Sequence, residues 1–250
     1  MYILSVDTTA KSASVCISKD DEILGLVPVA RANLDGALTH SECLLPMIDS
    51  CLTLARLTVG DIDYMAVTNG PGSFTGVRIG VCAISGLAFS QEKDIPCIPV
   101  SSLESLAENI ASYGENTILC PLMDARREQF YNALFTVKSG RLKRLCEDRT
   151  VTASELCEEI AKKYSKKKIV ICGDGAKLFY TLMAKYGEFE KLSICHPKDL
   201  YQSALSVATV AKKIIDAEGF DKDNFRYDKL SPSYLRLSQA ERERNERLGK

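Results

Sequence analysis

Ile3-Leu4-Ser5-Val6-Asp7 and Ile118-Leu119-Cys120-Pro121-Leu122-Met123-Asp124 are both apolar runs closed by an aspartate, and each opens a similar train of segments. After the first come Ser14–Ser18 and Glu22–Val27, which read as strands joined by polar turns at Ala10–Ser12 and Lys19–Asp21. After the second comes Gln129–Phe135, which reads as one strand. Further along each half, Ala66–Gly76 and Ile169–Gly175 match as a strand and a glycine turn leading into a helix. This repetition predicts a duplicated α/β chain whose halves meet near Ala111–Asn116. The expected division is a first lobe at 1–110, a second at 111–236 and a charged tail at 237–250.

The loop Asn69-Gly70-Pro71-Gly72-Ser73-Phe74-Thr75-Gly76-Val77-Arg78-Ile79-Gly80 carries four glycines and a proline between a strand and a helix. No Lys-Ser/Thr pair follows the glycines, so it is not a phosphate loop, and it is not the GxGxxG fingerprint either. A glycine turn at a helix N-terminus suits an anion or another chain, and serves equally as a plain tight turn. The helix at 39–57 pairs Thr39 with Glu42 at capping-box spacing and places Leu44, Ile48, Cys51 and Ala55 in one apolar row. Leu38, Leu45 and Leu52 widen that face, and Pro46 is expected to kink or delay the helix. On the helix at 76–89, Gly76, Gly80 and Ala83 form a small-residue face. Each internal glycine costs about 1 kcal/mol against alanine, and close approach by a second helix would offset it. The alternative packs the glycines against the chain's own sheet.

A net charge of −1 gives no global pull toward nucleic acid or anionic membrane. The apolar runs fall short of the roughly 20 residues a span needs, so no membrane is expected. No basic n-region precedes Tyr2-Ile3-Leu4, so a cytoplasmic protein is expected. Ten cysteines without a CxxC, with Cys16, Cys82, Cys97, Cys120 and Cys172 in or beside apolar runs, read as reduced thiols. The only histidines, His40 and His196, are too far apart in sequence to form a metal-binding helical pair, and no metal site is expected. Lys162–Lys168 is the one basic run, read as a solvated helix end before a strand rather than as a phosphate contact.

Ile3–Thr9, Leu38–Pro46, Gly70–Gly80, Pro99–Glu104 and Ser231-Pro232-Ser233-Tyr234-Leu235-Arg236 together resemble the TsaB family, the bacterial accessory subunits for threonylcarbamoyladenosine synthesis on tRNA. The resemblance is dense over 2–107, thin across 140–225 and returns at 231–236. It implies a duplicated actin-like (ribonuclease H-like) ATPase fold with two lobes, each a mixed sheet with flanking helices. It also implies a non-catalytic scaffold that pairs with a TsaD-type transferase acting on adenosine 37. A TsaE-like ATPase is the implied third member, with a homodimer when the partner is absent and tRNA met through the complex. The paired metal-binding histidines of TsaD would fall at Ser102 and Leu106, so no catalytic residue and no cofactor are expected. The expected partner surface is His40, Leu44, Ile48, Cys51, Gly72, Phe74, Thr75, Gly76, Arg78, Gly80 and Ala83. A small-molecule kinase or ATPase is the competing reading, with Asp7, Thr8, Thr9 and Gly173 as candidate nucleotide contacts. Asp7-Thr8-Thr9 lacks the glycine that suits a phosphate turn, and Asp7 and Asp124 would either hold Mg²⁺ through water or cap their strands.

Overall fold

The computed structural model describes residues 1–20, 22–29 and 39–236, so the tail at 237–250 and Leu38 lie outside the described residues. Alternation of apolar residues along the first strands sets the architecture. In β1 (Tyr2–Asp7), Leu4 and Val6 point to one face of a sheet, and Ile3 and Ser5 to the other. β1 pairs antiparallel with β2 (Ala13–Lys19), which pairs antiparallel with β3 (Glu22–Val29). On its other side β1 runs parallel to β4 (Tyr64–Gly70), which runs parallel to β5 (Cys97–Ser101). The five-stranded order is therefore β3-β2-β1-β4-β5.

The Leu4/Val6 face is covered by α1 (His40–Ala55) and α2 (Phe74–Phe89), which build one core with Val15, Ile17, Met65 and Val67. α1 begins at His40 and runs through Pro46, so the proline does not delay it. At its start the Glu42 carboxylate accepts the Thr39 N–H at 2.6 Å and the Thr39 hydroxyl at 2.8 Å. The opposite face, with Ile3, Ala66, Ile98 and Val100, is covered by α6 (Ala204–Ile215) through Val207, Val210 and Ala211. The chain thus returns to the first sheet after building the second, a crossing that the repeated sequence pattern does not announce.

The second sheet is centred on β6 (Thr117–Asp124), with β11 (Lys168–Cys172) and β12 (Leu192–Ile194) parallel to it. The single strand expected at Gln129–Phe135 is two: β7 (Gln129–Asn132) and β8 (Phe135–Lys138). β7 pairs with Leu122–Asp124 and β8 with Ile118–Leu119, so on this side of β6 neither strand pairs with Cys120 or Pro121, which pair with β11 on the other. Pro121 has no N–H to offer a ladder, and the buried Asn132 amide donates to the Pro121 carbonyl at 3.0 Å instead. β9 (Arg141–Arg144) pairs with β8 and β10 (Arg149–Thr152) with β7. α3 (Ser102–Asn109), α4 (Ala153–Lys163) and α5 (Ala176–Met183) pack on this sheet, and Ala10 from the β1–β2 turn joins the same core. Two mixed sheets with flanking helices are the actin-like α/β fold, as the resemblance implies.

Candidate functional site

At the C-terminal ends of the parallel strands β1, β4 and β5, where open α/β sheets place ligands, this chain packs its own backbone. Thr9 donates its N–H and its hydroxyl to Asp7 Oδ1, at 2.9 and 2.8 Å, closing the turn on itself. The glycine loop lies directly on that turn. The Ser73 N–H donates to the Thr9 carbonyl at 2.7 Å, and the Thr8 hydroxyl donates to the Gly76 carbonyl at 2.7 Å. Contacts this close require glycine. A Cβ at Gly76 would stand 2.0 Å from the Thr8 carbonyl oxygen, and one at Gly80 2.5 Å from Thr8 Oγ1.

Two expectations are corrected here. Gly76 and Gly80 face Thr8 inside the chain, so the small-residue face accommodates the β1–β2 turn and not a second protein. Asp7, Thr8 and Thr9 are 0%, 0% and 1% exposed, and Gly173 is pressed on the Leu122 carbonyl, where its Cβ would stand 2.1 Å away. The candidate nucleotide contacts are thus buried under the chain's own loops in this conformation. Burial raises the Asp7 carboxyl above the usual carboxylate range, against the lowering effect of Thr9 and Thr68.

A C-terminal strap closes over the loop. The Ser233 N–H donates to the Asn69 carbonyl at 2.7 Å, and the Asn69 amide donates to the Ser231 carbonyl at 3.1 Å. Tyr234 stacks on Phe74 with ring centroids 4.6 Å apart, and Arg78 Nε donates to the Tyr234 hydroxyl at 2.8 Å. Two residues on, Arg236 Nη1 donates to the Ala125 carbonyl at 2.8 Å, tying the strap to the second sheet.

The remaining interface expectations divide by burial. Leu44, Ile48 and Cys51 are 1%, 2% and 0% exposed and belong to the core beneath α1, a second correction to the expected surface. Their row is the inward face, because α1 lies across β2 and β3. His40 is half-buried, with Nε2 2.8 Å from the Ala10 carbonyl oxygen. Thr75 and Arg78 are exposed, and Gly72, Phe74 and Ala83 are half-buried. The expected partner surface omits four outward residues. On α2 these are Cys82 and Phe89, the latter 69% exposed, and on α1 Leu45 and Leu54, 53% and 69% exposed. Extending the +3/+4 ladder from Thr75 and Arg78 through Cys82 to Phe89 would have found the α2 residues.

Among the described residues no group of three His, Cys, Asp or Glu is placed to hold a metal ion. No helix among them is long and apolar enough to cross a membrane. At the mouth of the second glycine turn, Asp174 Oδ1 accepts the Asp124 N–H at 3.2 Å. Burial pushes the Asp174 carboxyl up to about 6, helped by the charge of Asp124 and opposed by Lys11.

A family model described as TsaD, tRNA N6-adenosine threonylcarbamoyltransferase, matches residues 24–243. The tRNA threonylcarbamoyladenosine biosynthesis protein TsaB of Bacillus subtilis is 29% identical over 243 residues, covering 96% of each chain. The chain belongs to the TsaB family. The TsaB of Escherichia coli is 29% identical over 171 residues, covering 68% of this chain and 71% of that one. YeaZ from Pseudomonas aeruginosa shares the fold with a TM-score of 0.73 at 21% identity, over 94% of this chain and 99% of that one. In this TsaB-family chain Ser102 and Leu106, where the resemblance would place a TsaD-type histidine pair, lie on α3 and are both 0% exposed.

Proposed function

We propose that this chain is an accessory subunit in the biosynthesis of threonylcarbamoyladenosine on tRNA, pairing with a TsaD-type transferase through the outward faces of α1 and α2. The names of its relatives support the pathway. One structural observation carries the pairing: two helices on the same face of one sheet leave Leu45, Leu54, Cys82 and Phe89 exposed, while the polar groups at the strand ends are sealed inside. The same surface serves a homodimer when the transferase is absent, so the two assemblies compete. A TsaE-like ATPase joins the pair in the cytoplasm, and tRNA is met through the assembly. The burial of Asp7, Thr8 and Thr9 under the glycine loop supports this role over an intrinsic kinase or ATPase.

Size-exclusion chromatography with light scattering tests it, on the chain alone, with the TsaD-type subunit, and on Phe89→Asp in both settings. Phe89 is largely exposed, so its replacement reports on the surface and not on folding. A homodimer that exchanges for a one-to-one heterodimer, with both weakened at least tenfold in the variant, is the expected result. A wild-type chain that ignores the transferase, or a variant that pairs as wild type does, overturns the proposed surface.

A further inference from the structure

The strap joins two sets of arginines on one surface. Arg78 lies 3.9 Å over the Phe74 ring and 5.7 Å from the Tyr234 centroid, with Tyr234 itself 41% exposed. Tyr234 and Arg236 are two residues apart, a reach of about 7 Å in extended chain. Arg236 holds the Ala125 carbonyl, and the next residues, Arg126 and Arg127, are exposed. Arg126, Arg127 and Glu128 all have left-handed backbones, with φ of 64°, 56° and 55°. Three such residues in a row without a glycine is costly, and such cost concentrates where a chain displays side chains for a purpose. Here the turn is pinned by the Arg126 N–H donating to Asp124 Oδ1 at 2.7 Å.

Arg78, Arg126, Arg127 and Arg236 make no ion pair among the described residues, whereas Arg144, Arg149 and Arg226 do. Lys11 adds a fifth cation near Asp174. The two turns also carry the carboxylates Asp124, Asp174 and Glu128. These three carboxylates stand against five cations. The surface is cationic on a chain whose net charge is −1. The basic run at Lys162–Lys168 is different, because Lys162 and Lys163 are paired with Glu158 and Glu159 one turn back on α4.

We propose that this surface binds a single-stranded segment of RNA, with phosphates on Arg126, Arg127 and Arg236 and a base stacked against Tyr234 beside Arg78. An exposed aromatic ring flanked by arginines that lack acidic partners is the combination that single strands use, stacking for the base and charge for the backbone. Phe74 already stacks on one face of Tyr234, so the base takes the ring's exposed side. The proposal deepens the role in tRNA modification and rests on that reading, since it gives the accessory subunit its own contact with the substrate.

Fluorescence anisotropy of a labelled, unmodified tRNA transcript with the full chain tests it at two salt concentrations. The key variant is Arg126→Asn/Arg127→Asn, because asparagine tolerates the left-handed backbone and keeps the turn. It is expected to weaken binding at least tenfold and to lower the slope of log affinity against log salt by about 1.4, at about 0.7 per single-strand phosphate. Tyr234→Leu is expected to weaken binding about tenfold with the slope unchanged. Lys162→Gln/Lys163→Gln removes the same charge elsewhere and is expected to stay within about twofold of wild type. Binding by the double asparagine variant equal to wild type, or an equal loss in the lysine variant, overturns the proposal. So does a wild-type chain that shows no binding at low salt. Pairing with the transferase is measured on the double asparagine variant by size exclusion and is expected to survive. If the asparagine variant loses pairing and keeps RNA, the surface is a protein contact and the proposal fails. Loss of wild-type pairing with RNA binding intact would sink the accessory-subunit reading alone.

Discussion

Asp174 shows how a single half-buried carboxyl makes the stability of this fold depend on pH. Its folded value of about 6 lies above the ordinary 3.8, so the protonated form is favoured by folding. The sign follows. The contribution is fully present below the unfolded value and is lost as pH rises through about 6. At most this amounts to about 3 kcal/mol at neutral pH, since each tenfold change in proton affinity is worth about 1.4 kcal/mol. Asp174→Asn removes the titration and keeps an oxygen that accepts the Asp124 N–H. The variant is expected to be more stable than wild type by about 1–3 kcal/mol at pH 7.5, with the gap narrowing toward pH 4.5. Urea unfolding at the two pH values checks this, and a gap that does not narrow would show that Asp174 is not held protonated by the fold. In the sequence Asp174 is one aspartate between two glycines; its environment depends on Asp124 and Lys11, which are far away along the chain.

At the scale of elements, α1 and α2 show what periodicity can and cannot reveal. The row Leu44, Ile48 and Cys51 is correctly an apolar helix face, and the 76–89 stripe is correctly a site of close approach. Neither pattern says whose backbone approaches. A stripe of small residues looks the same against the chain's own turn as against a partner, and here the turn is Thr8. The split of β7 from β8 was hidden for a related reason. Pro121 sits in a strand that pairs on two sides, and its effect falls on the partner strand, not on its own. The glycines of α2 supply the test. Gly76→Ala would put a Cβ against a backbone oxygen that cannot move cheaply, and is expected to cost about 3 kcal/mol or more. Gly86 lies on the same helix, is exposed, and a Cβ there meets nothing within 4 Å. Gly86→Ala is expected to add about 0.5–1 kcal/mol of stability. Opposite shifts in thermal midpoint are the signature. If Gly76→Ala proves neutral, the loop does not lie on Thr8 as described.

Across the whole molecule, the duplicated plan was legible because each half repeats a strand ending in aspartate and a strand ending in a glycine turn. The return of 204–236 to the first sheet was not, because α6 and the strap carry no counterpart in the first half. Among the described residues, that return sets Tyr227 against Phe89 and Tyr234 against Phe74 on α2, and leaves Leu45 and Leu54 of α1 and Cys82 of α2 exposed. The cysteines mark this difference. All ten carry reduced thiols, and burial pushes Cys16, Cys97 and Cys120 up to about 12, where thiolate is scarce. Cys82 alone is exposed, on the outward face of α2 between Arg78 and Phe89. A native thiol titration is therefore expected to show one fast-reacting group, lost in Cys82→Ser. Adding the TsaD-type subunit is expected to slow that group at least tenfold, and a bulky maleimide on Cys82 is expected to block pairing. Because the reagent reads access at a single atom on α2, undiminished reactivity in a proven heterodimer would move the partner surface off this helix and onto another face of the fold.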